Sequence, residues 1–586
     1  MLDVFGIKDF ENLGYWAEDM VHFSGYGHTR IANKAAELLG LSHRFEEEEE
    51  FEMLGPDADG HWRQRPACST LRATHYKDRR LMDAACALPR SAHLRQWPIV
   101  LVILLLAPPL LFAAALLWPL SAPPLPEPGN SRVIVNARVV DVARGQVSEP
   151  TTVTVRHGTI TAIGEDPQDA RLPVLDAGGR WLLPGFWDMH THALQLSPQL
   201  QFPLMLANGI TGTRDMMDCP QTTDPLIACV ADKRRWTAQA IAGQQVAPRF
   251  VQIASFYFED PSLTPEAAAA RARTYSARGV EALKVYNRLR ADTYQRLATE
   301  AQQLRRPLVG HLPKAVPLDD AVQAGQRSFE HAHLFVRHCF DNAAAWRGGT
   351  LDGEDPIVLA ERMVASYQPT LCNKAFALMQ ASGAAFVPTH VTREEDARAS
   401  DPAFVDDPRL AYLDPLSRWA WRDDLQATAA RYPGRRGQDA LKTYFEHGLA
   451  LTGAAHRAGV TVLVGTDTGL GGFRYHDELQ WLRQAGLSQA DVLRAATLQA
   501  ARHLQRQASH GSVEVGKAAD LVLLDGNPLH DIANTRRVHA VLLAGHLYDH
   551  PRLDALQTYA RRQARSPAVM ARLLWGFITS PVSAEL

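Results

Sequence analysis

The sequence predicts an α/β protein built on a (β/α)8 barrel of the TIM type, and two patterns support this fold class. Over residues 186–503, eight β-rich runs alternate with helical stretches of roughly 10–15 residues, as strands and crossover helices do in such barrels. Short strands lie on both sides of this region, at residues 133–185 and 519–549. We therefore expect the flanking segments, residues 129–185 and 505–550, to form one small β-sandwich domain.

Size and composition agree with several folded parts and argue against nucleic-acid binding. The chain has 586 residues, of which 46% are hydrophobic, and this is more than one domain usually contains. Lys and Arg total 61, Asp and Glu total 64, and the net charge is -3, so no strongly positive field is present to attract nucleic acid. The six cysteines include no Cys-x-x-Cys pair, which excludes a zinc ribbon.

An apolar segment precedes these predicted domains. No charged residue lies between Arg95 and Glu127, and residues 98–120 can span about 30 Å of hydrocarbon as a helix. Basic residues occur upstream but not in the downstream SAPPLPEPGN, so we predict a transmembrane or signal-anchor segment at 97–120, with the following domains in the periplasm or outside the cell. A signal peptide cleaved after Ala122 is the alternative, and it would release a secreted protein.

The first residues of the chain carry a separate motif. Asp19 and His22 form an Asp-x-x-His motif that, with the helix-like IANKAAELLGL, resembles the C-terminal end of a GDSL (SGNH) hydrolase. Nothing upstream can supply the serine that such a pair activates, so residues 1–42 are expected to be an inert fragment. Residues 43–96 contain a run of glutamates and no apolar periodicity, which predicts a linker.

Candidate metal ligands stand at the ends of the predicted barrel strands, where the reactive side chains of such barrels lie. His190 and His192 alternate along the first strand and therefore point the same way. Lys284 is expected to have a lowered pKa among its apolar neighbours, and a neutral amine can capture carbon dioxide as a carbamate that bridges two metals. Any one histidine alone is more often a core residue, but the whole set indicates a metal site. The set is His190, His192, Lys284, His311, His331 and Asp467.

These motifs resemble the amidohydrolase superfamily, in particular its imidazolonepropionase-like and Xaa-Pro dipeptidase-like branch. The matching segments, within about residues 132–550, are LLPGFWDMHTH, NGITGTRDM, EALKVY, VGHLP, SFEHA, VLVGTDTG, ATLQAARHL and GSVEVGKAADLVLLDGNPLHDI. The resemblance implies two divalent cations, with zinc as the first expectation. It assigns one cation to His190, His192 and Asp467 and the other to His311 and His331, with carboxylated Lys284 bridging them.

The resemblance also implies hydrolysis of an amide or peptide-like C–N bond in a small molecule, such as an N-acyl amino acid, a dipeptide or a cyclic amide. Two cations that share a hydroxide would supply nucleophile and electrophile, with Asp467 as proton carrier or as a ligand only. Hydrolysis of a lactone, ester or phosphoester by the same centre is the alternative. A non-catalytic binding protein would have lost ligands, and all six are present. The metal, the substrate and the oligomeric state stay open.

Four further residues are candidates for substrate contacts. Tyr286, Arg288 and Arg214 could bind a substrate carboxylate, although structural ion pairs are the commoner role for such residues. His390 could orient the substrate, stabilise an oxyanion, or be structural. Substrate choice is expected to depend on the barrel loops and on a helical insertion at about 391–440, between the seventh strand and its helix.

Two cysteine pairs are candidates for disulfides if the barrel lies outside the cytoplasm. They are Cys219 with Cys229 and, as a second pair, Cys339 with Cys372, with reduced buried thiols as the alternative. Beyond the second half of the small domain, residues 551–586 predict a C-terminal helical tail.

Overall fold

The computed structural model describes residues 109–165 and 171–584. The predictions for residues 1–96, including the GDSL-like fragment with Asp19 and His22, lie outside these ranges. At the start of the first range, residues 109–117 are helical. No helix within the described ranges is long and apolar enough to cross a membrane, and residues 97–108 of the predicted transmembrane segment lie outside those ranges.

The two segments that flank the barrel build one sheet. Its strands pair in the order β16-β15-β14-β5-β1-β2-β3, with β4 beside β1. β5 and β14 pair antiparallel, with Leu182 opposite Leu523, and this pairing joins the segment before the barrel to the segment after it. The bounds are β1 Arg132–Asp141, β2 Gln146–Arg156, β3 Thr159–Ile163, β4 Val174–Asp176, β5 Trp181–Pro184, β14 Leu521–Leu524, β15 Val538–Leu543 and β16 His546–Tyr548.

Side chains from both ends of this sheet share one apolar core. Ile160 on β3 and Leu547 on β16 belong to the same buried cluster as Leu182 and Leu523 from the middle of the sheet. Burial of these alternate side chains stabilises the sheet against unfolding. Among the described residues, the strands expected to form a sandwich are therefore connected in one continuous sheet that encloses a single core.

The eight barrel strands predicted from the sequence are present and parallel. Strands β6 to β8 pair with each other, as do β9 with β10 and β11 to β13. Single bridges connect these groups, and Met189 N donates to Val464 O at 2.8 Å to close β6 against the end of β13. The bounds are β6 Phe186–Thr191, β7 Ile210–Asp215, β8 Arg249–Ile253, β9 Leu283–Val285, β10 Leu308–Gly310, β11 Ser328–Glu330, β12 Ala385–Val387 and β13 Thr461–Val462.

The crossover helices cover the barrel and leave its strands buried on both faces, so all six residues of β7 are buried. The helix Pro265–Arg278 has clear sequence signals, because Thr264 Oγ1 accepts from Ala267 N at its start and Gly279 ends it at a φ of 96°. The helices up to β11 are α1 Gln201–Ala207, α2 Val230–Ile241, α3 Pro265–Arg278, α4 Ala291–Leu304 and α5 Leu318–Gln323.

Two helical regions extend the barrel around its seventh strand. The first lies between β11 and β12 and was not singled out from the sequence; it contains α6 His333–His338, α7 Ala343–Arg347, α8 Pro356–Ala365 and α9 Pro369–Ser382. The second follows β12, where an insertion was expected, and contains α10 His390–Ala397, α11 Pro402–Val405, a 3-10 turn Pro408–Tyr412 and α12 Pro415–Arg431.

The remaining helices complete the barrel and the C-terminal region. Tyr559 Oη donates to Ser121 O at 2.6 Å, which ties the C-terminal helices to the segment before β1. These helices are α13 Gly434–Arg457, α14 Gly471–Gln484, α15 Gln489–Ala495, α16 Leu498–His503, α17 His550–Gln563 and α18 Pro567–Thr579, with 3-10 turns Ile532–Arg536 and Pro581–Ala584.

Both predicted disulfides are present in the structure. Cys219–Cys229 closes the loop after β7, and Cys339–Cys372 joins the end of α6 to α9. Each bond therefore restrains a loop at the end of the barrel where the strands finish.

Candidate metal centre

The carboxyl ends of strands β6, β11 and β13 bring four of the six predicted ligands together. Asp467 Oδ1 lies 3.0 Å from His192 Nε2, and Asp467 Oδ2 lies 3.5 Å from His190 Nε2. The same Oδ2 is 3.8 Å from His331 Nε2. The three imidazoles and the carboxylate thus face one small space, as ligands of a common centre do.

His311 joins this group from the end of β10. Its Nε2 is 3.1 Å from His331 Nε2, and its Nδ1 is 3.0 Å from Asn287 Oδ1. The Tyr286 ring packs against the His311 ring, with centroids 3.9 Å apart. These contacts hold the His311 ring so that Nε2 faces the other histidines.

Lys284 is fully buried in the short strand β9. Its Nζ atom lies 5.6 Å from the centre of the Tyr286 ring, which packs on His311. Gly310 on the neighbouring strand has a φ of 111°, and a Cβ there would lie 2.5 Å from Val285 O and 3.1 Å from Lys284 Cγ. Only glycine fits at position 310, because β10 lies so close to Val285 and Lys284 of β9 that a Cβ would collide with the Val285 carbonyl.

A buried carboxylate behind the cluster orients His190. Glu330 Oε2 is 3.1 Å from His190 Nδ1, while Arg214 Nη2 donates to both oxygens of Glu330, at 2.9 and 3.0 Å. Ser328 Oγ donates to Glu330 Oε1 at 2.7 Å. With Nδ1 donating to Glu330, His190 presents the lone pair of Nε2 to the centre, which is the tautomer that binds a metal.

The backbone is in an unusual conformation where the last three strands end. His331, Thr389 and Asp467 have φ values of 73°, 45° and 51°, although none is a glycine. His331 Nδ1 is 2.8 Å from Thr389 Oγ1, so two of these residues are also hydrogen-bonded to each other. Such conformations cost about 1–3 kcal/mol each and concentrate at functional sites.

Burial keeps the first two histidines neutral. It is the main cause that lowers the pKa of His190 and of His192 well below the usual range, and the charge of Lys284 acts in the same direction. A neutral imidazole is the form that coordinates a metal. The His190 Nε2 atom, which has no hydrogen bond within the described residues, is therefore available as a ligand.

The donor set fits a divalent cation. His190, His331 and Asp467 each offer one ligand atom, and these atoms lie within 4.8 Å of one another. This trio combines ligands that the sequence resemblance assigned to two different cations. Imidazole nitrogen and carboxylate oxygen suit zinc and related divalent metals.

A cavity of about 210 Å³ opens beside the cluster. Its walls are mostly apolar and come from the loops after β6 and β7, from the insertion after β12 and from the C-terminal helix α18. His192 and Thr468 stand where the cavity meets the cluster. Such a space can hold the body of a substrate while one bond of it reaches the ligands.

The structure corrects one proposed substrate contact and leaves three as predictions. Arg214 is fully buried and binds Met189 O, Ser328 and Glu330, so its role is to hold Glu330 and not a substrate carboxylate. None of the four candidates lines the cavity within the described part of the chain.

The other three candidates differ in their surroundings. Tyr286 packs on His311 and is 5% exposed, and Arg288 lies 3.9 Å from Glu259. His390 is fully buried, with its ring 6.2 Å from that of Phe445, and burial lowers its pKa to about 3.

Sequence reasoning missed three residues that support the ligands. Glu330 was overlooked although it directly precedes His331 at a strand end. Thr389 contacts His331, and Asp188 accepts from His190 N at 3.1 Å and from Thr466 Oγ1 at 2.6 Å, which ties β6 to the end of β13. Asp188 and Glu330 could have been found from the sequence, because each is an ionisable residue inside an otherwise apolar strand and therefore needs a buried partner.

The fold and the ligand cluster define a (β/α)8 barrel with a candidate metal centre at the carboxyl ends of its strands. Residues 291–548 match the model of the amidohydrolase family. This part of the chain is therefore similar to the amidohydrolase family, which agrees with the resemblance of the motifs.

Two groups of curated relatives match short parts of the chain. A dihydroorotase from Anaeromyxobacter dehalogenans (strain 2CP-C) is 33% identical over 113 residues, which cover 17% of this chain and 25% of that protein. An adenine deaminase from Listeria innocua serovar 6a is 33% identical over 81 residues, 14% of each protein. The chain thus spans a quarter or less of the length of these relatives.

Solved structures share the fold over most of the chain. A bottromycin amidohydrolase is similar with a TM-score of 0.56 and 23% identity, covering 78% of this chain and 95% of that chain. A prolidase candidate from Bifidobacterium longum is similar with a TM-score of 0.50 and 22% identity, covering 75% and 100%. At these identities the likeness concerns the fold.

Proposed function

We propose that the protein is a metal-dependent hydrolase that cleaves an amide or peptide-like C–N bond of a small molecule. The observation that carries the proposal is the cluster of His190, His192, His331 and Asp467 next to an apolar cavity that ends at His192. The match of residues 291–548 to the amidohydrolase family, with a dihydroorotase and adenine deaminases among the relatives, supports the C–N bond as the target.

A divalent cation bound by these ligands would acidify water and polarise the scissile carbonyl. Asp467 is the chain's own base for the reaction, because its carboxylate faces the same space as the imidazoles of His190 and His192. It accepts a proton from the attacking water and passes it to the leaving nitrogen as the C–N bond breaks. The products are a carboxylic acid and an amine.

Lys284 is the proposed carbamate ligand. The argument rests on its complete burial and on its position beside Tyr286, whose ring packs on His311. A buried ammonium beside cation ligands is unfavourable, whereas the carbamate formed with carbon dioxide carries a negative charge and two oxygen donors. In this proposal, His190, His192 and Asp467 would hold one cation and His311 and His331 a second, with carboxylated Lys284 as a ligand to both and zinc as the first expectation.

A substrate panel with the zinc-loaded full chain tests the function. The panel contains N-acyl amino acids, dipeptides, cyclic amides, lactones, esters and phosphoesters. We expect amides to have the highest kcat/KM, and Asp467→Asn to abolish turnover of every substrate. Asp439→Asn is the control, because Asp439 is 68% exposed on the surface of α13. Faster turnover of lactones, esters or phosphoesters than of any amide would replace this proposal with ester or phosphoester hydrolysis.

We also propose that the barrel works outside the cytoplasm. The disulfides Cys219–Cys229 and Cys339–Cys372 support this location, because such bonds persist in oxidising compartments. Protease added to cells with a permeabilised outer membrane should digest the barrel. Protection of the barrel, together with free thiols at these four cysteines, would place it in the cytoplasm instead.

A further inference from the structure

The cavity beside the metal ligands contains four carboxyl groups from the insertion, and three of them have partners within the protein. Glu395 lies 3.6 Å from Arg474, Asp407 binds Arg409, and Asp414 caps helix α12 by accepting from Leu416 N and Ser417 N. Each of these three carboxyl groups therefore has an ion-pair or hydrogen-bond partner within the protein.

Asp424 is the fourth carboxyl group and has a different environment. It is partly buried on helix α12 and lines the cavity. The charged groups that act on it are Asp423, Glu395 and Asp396, which are all acidic. Burial and these like charges raise the pKa of Asp424 well above its usual range.

Much of the rest of the cavity wall is apolar. Leu410, Phe404 and Trp421 of the insertion line the cavity. Leu573 and Phe577 of the C-terminal helix α18 line it as well. An alkyl or aromatic body of a substrate would bury apolar surface against these side chains. A positive charge carried on that body would favour the ionised form of Asp424, which burial and the acidic neighbours disfavour.

We propose that Asp424 selects substrates in which the apolar group on one side of the scissile amide carries a protonated amine. This inference rests on the proposed function, since it names the class of amide that the same site takes. The amine donates hydrogen bonds to the Asp424 carboxylate, while the apolar body fills the cavity and the amide reaches the ligands near His192. Asp424 acts as a specificity residue and takes no part in bond cleavage.

The kinetic test uses pairs of amides that differ only in a terminal methyl or aminomethyl group, placed on the acyl side or on the amine side of the scissile bond. When the group is on the side of the scissile bond that enters the cavity, we expect the aminomethyl amide to have a kcat/KM about tenfold or more above that of the methyl amide. This is the effect of one charge-assisted hydrogen bond. Asp424→Asn should remove this advantage, so that the two amides of each pair are then cleaved with similar kcat/KM. Asp406→Asn, on the same insertion but 74% exposed, is the matched control and should keep the advantage.

A binding test separates this inference from the proposed function. n-Hexylamine should raise the melting temperature of the zinc-loaded protein more than n-hexanol does, and Asp424→Asn should abolish the difference. If this holds while no amide is cleaved, the inference survives and the proposed function fails. If amides are cleaved without preference for the amine, the inference fails alone. An advantage of hexylamine that persists in Asp424→Asn also overturns it, because the amine is then bound elsewhere.

Discussion

Replacing Glu330 by glutamine removes the negative charge that Arg214 needs while it keeps the shape of the side chain. In the native protein Glu330 binds Arg214 at 2.9 and 3.0 Å and His190 Nδ1 at 3.1 Å, with all three groups fully or almost fully buried. Glutamine can still make some of these hydrogen bonds. It cannot compensate the buried guanidinium, and it can present an NH2 group to His190 where a carboxylate oxygen is required.

The substitution should lower both the stability of the protein and its affinity for metal. Breaking a buried ion pair on one side costs about 3–5 kcal/mol of the free energy of unfolding. Loss of the carboxylate behind a histidine ligand lowers metal affinity about 10–100-fold. We therefore expect Glu330→Gln to be less stable and to release its metal at a lower chelator concentration than the wild type.

The assay measures zinc content after dialysis against graded chelator concentrations, together with urea unfolding of the metal-free protein. Glu300→Gln is the control, since Glu300 is 4% exposed and paired with Arg273 and Arg296 on the outer helices. This control should lose stability without a change in zinc affinity. Ser328→Ala, which removes one donor to Glu330, is the milder variant if Glu330→Gln does not fold. Wild-type zinc affinity in both site variants would refute the orienting role of Glu330.

Three further outcomes are expected. Lys284→Ala should lose most activity and regain part of it with added short-chain carboxylic acids; an active variant with full metal content and no response to them would contradict the carbamate. Replacing Cys219 and Cys229 together by serine should lower stability by about 2–4 kcal/mol and raise KM for bulky amides, because the loop between them lines the cavity; an unchanged KM would exclude this coupling. Burial lowers the pKa of His476 to about 3, so the folded state keeps this ring neutral while the unfolded state takes a proton near pH 6.5. Its stabilising contribution is complete above pH 6.5 and should fall by about 2 kcal/mol at pH 5, and urea unfolding should show a smaller decrease for His476→Gln.

Much of the barrel could be predicted because its signals are local. Each of the eight strands is a short apolar run bounded by turn residues, and the six ligand candidates end such runs in chain order. Parallel strands bring their carboxyl ends to one side of the barrel, so strand ends far apart in sequence meet without any further information. The Cys219–Cys229 disulfide is also a local feature, so it could be proposed from the short separation of the two cysteines along the chain.

The supporting contacts depended on the tertiary structure. Glu330 meets Arg214 and His190, which are 116 and 140 residues away along the chain, and no local pattern distinguishes Arg214 as a buried partner from a substrate-binding arginine. Strand register and barrel closure decide which side chains point at each other across such separations.

The sequence by itself therefore predicted the fold class, the resemblance to amidohydrolases and the set of candidate ligands, because periodicity and strand-end positions are encoded by neighbouring residues. The cavity, the partner of each ligand and the acidic surroundings of Asp424 were decided only when distant segments packed together. Asp424 illustrates the reason: its neighbours Glu395 and Asp396 come from a different helix, and only their approach in space makes its carboxyl group unusual.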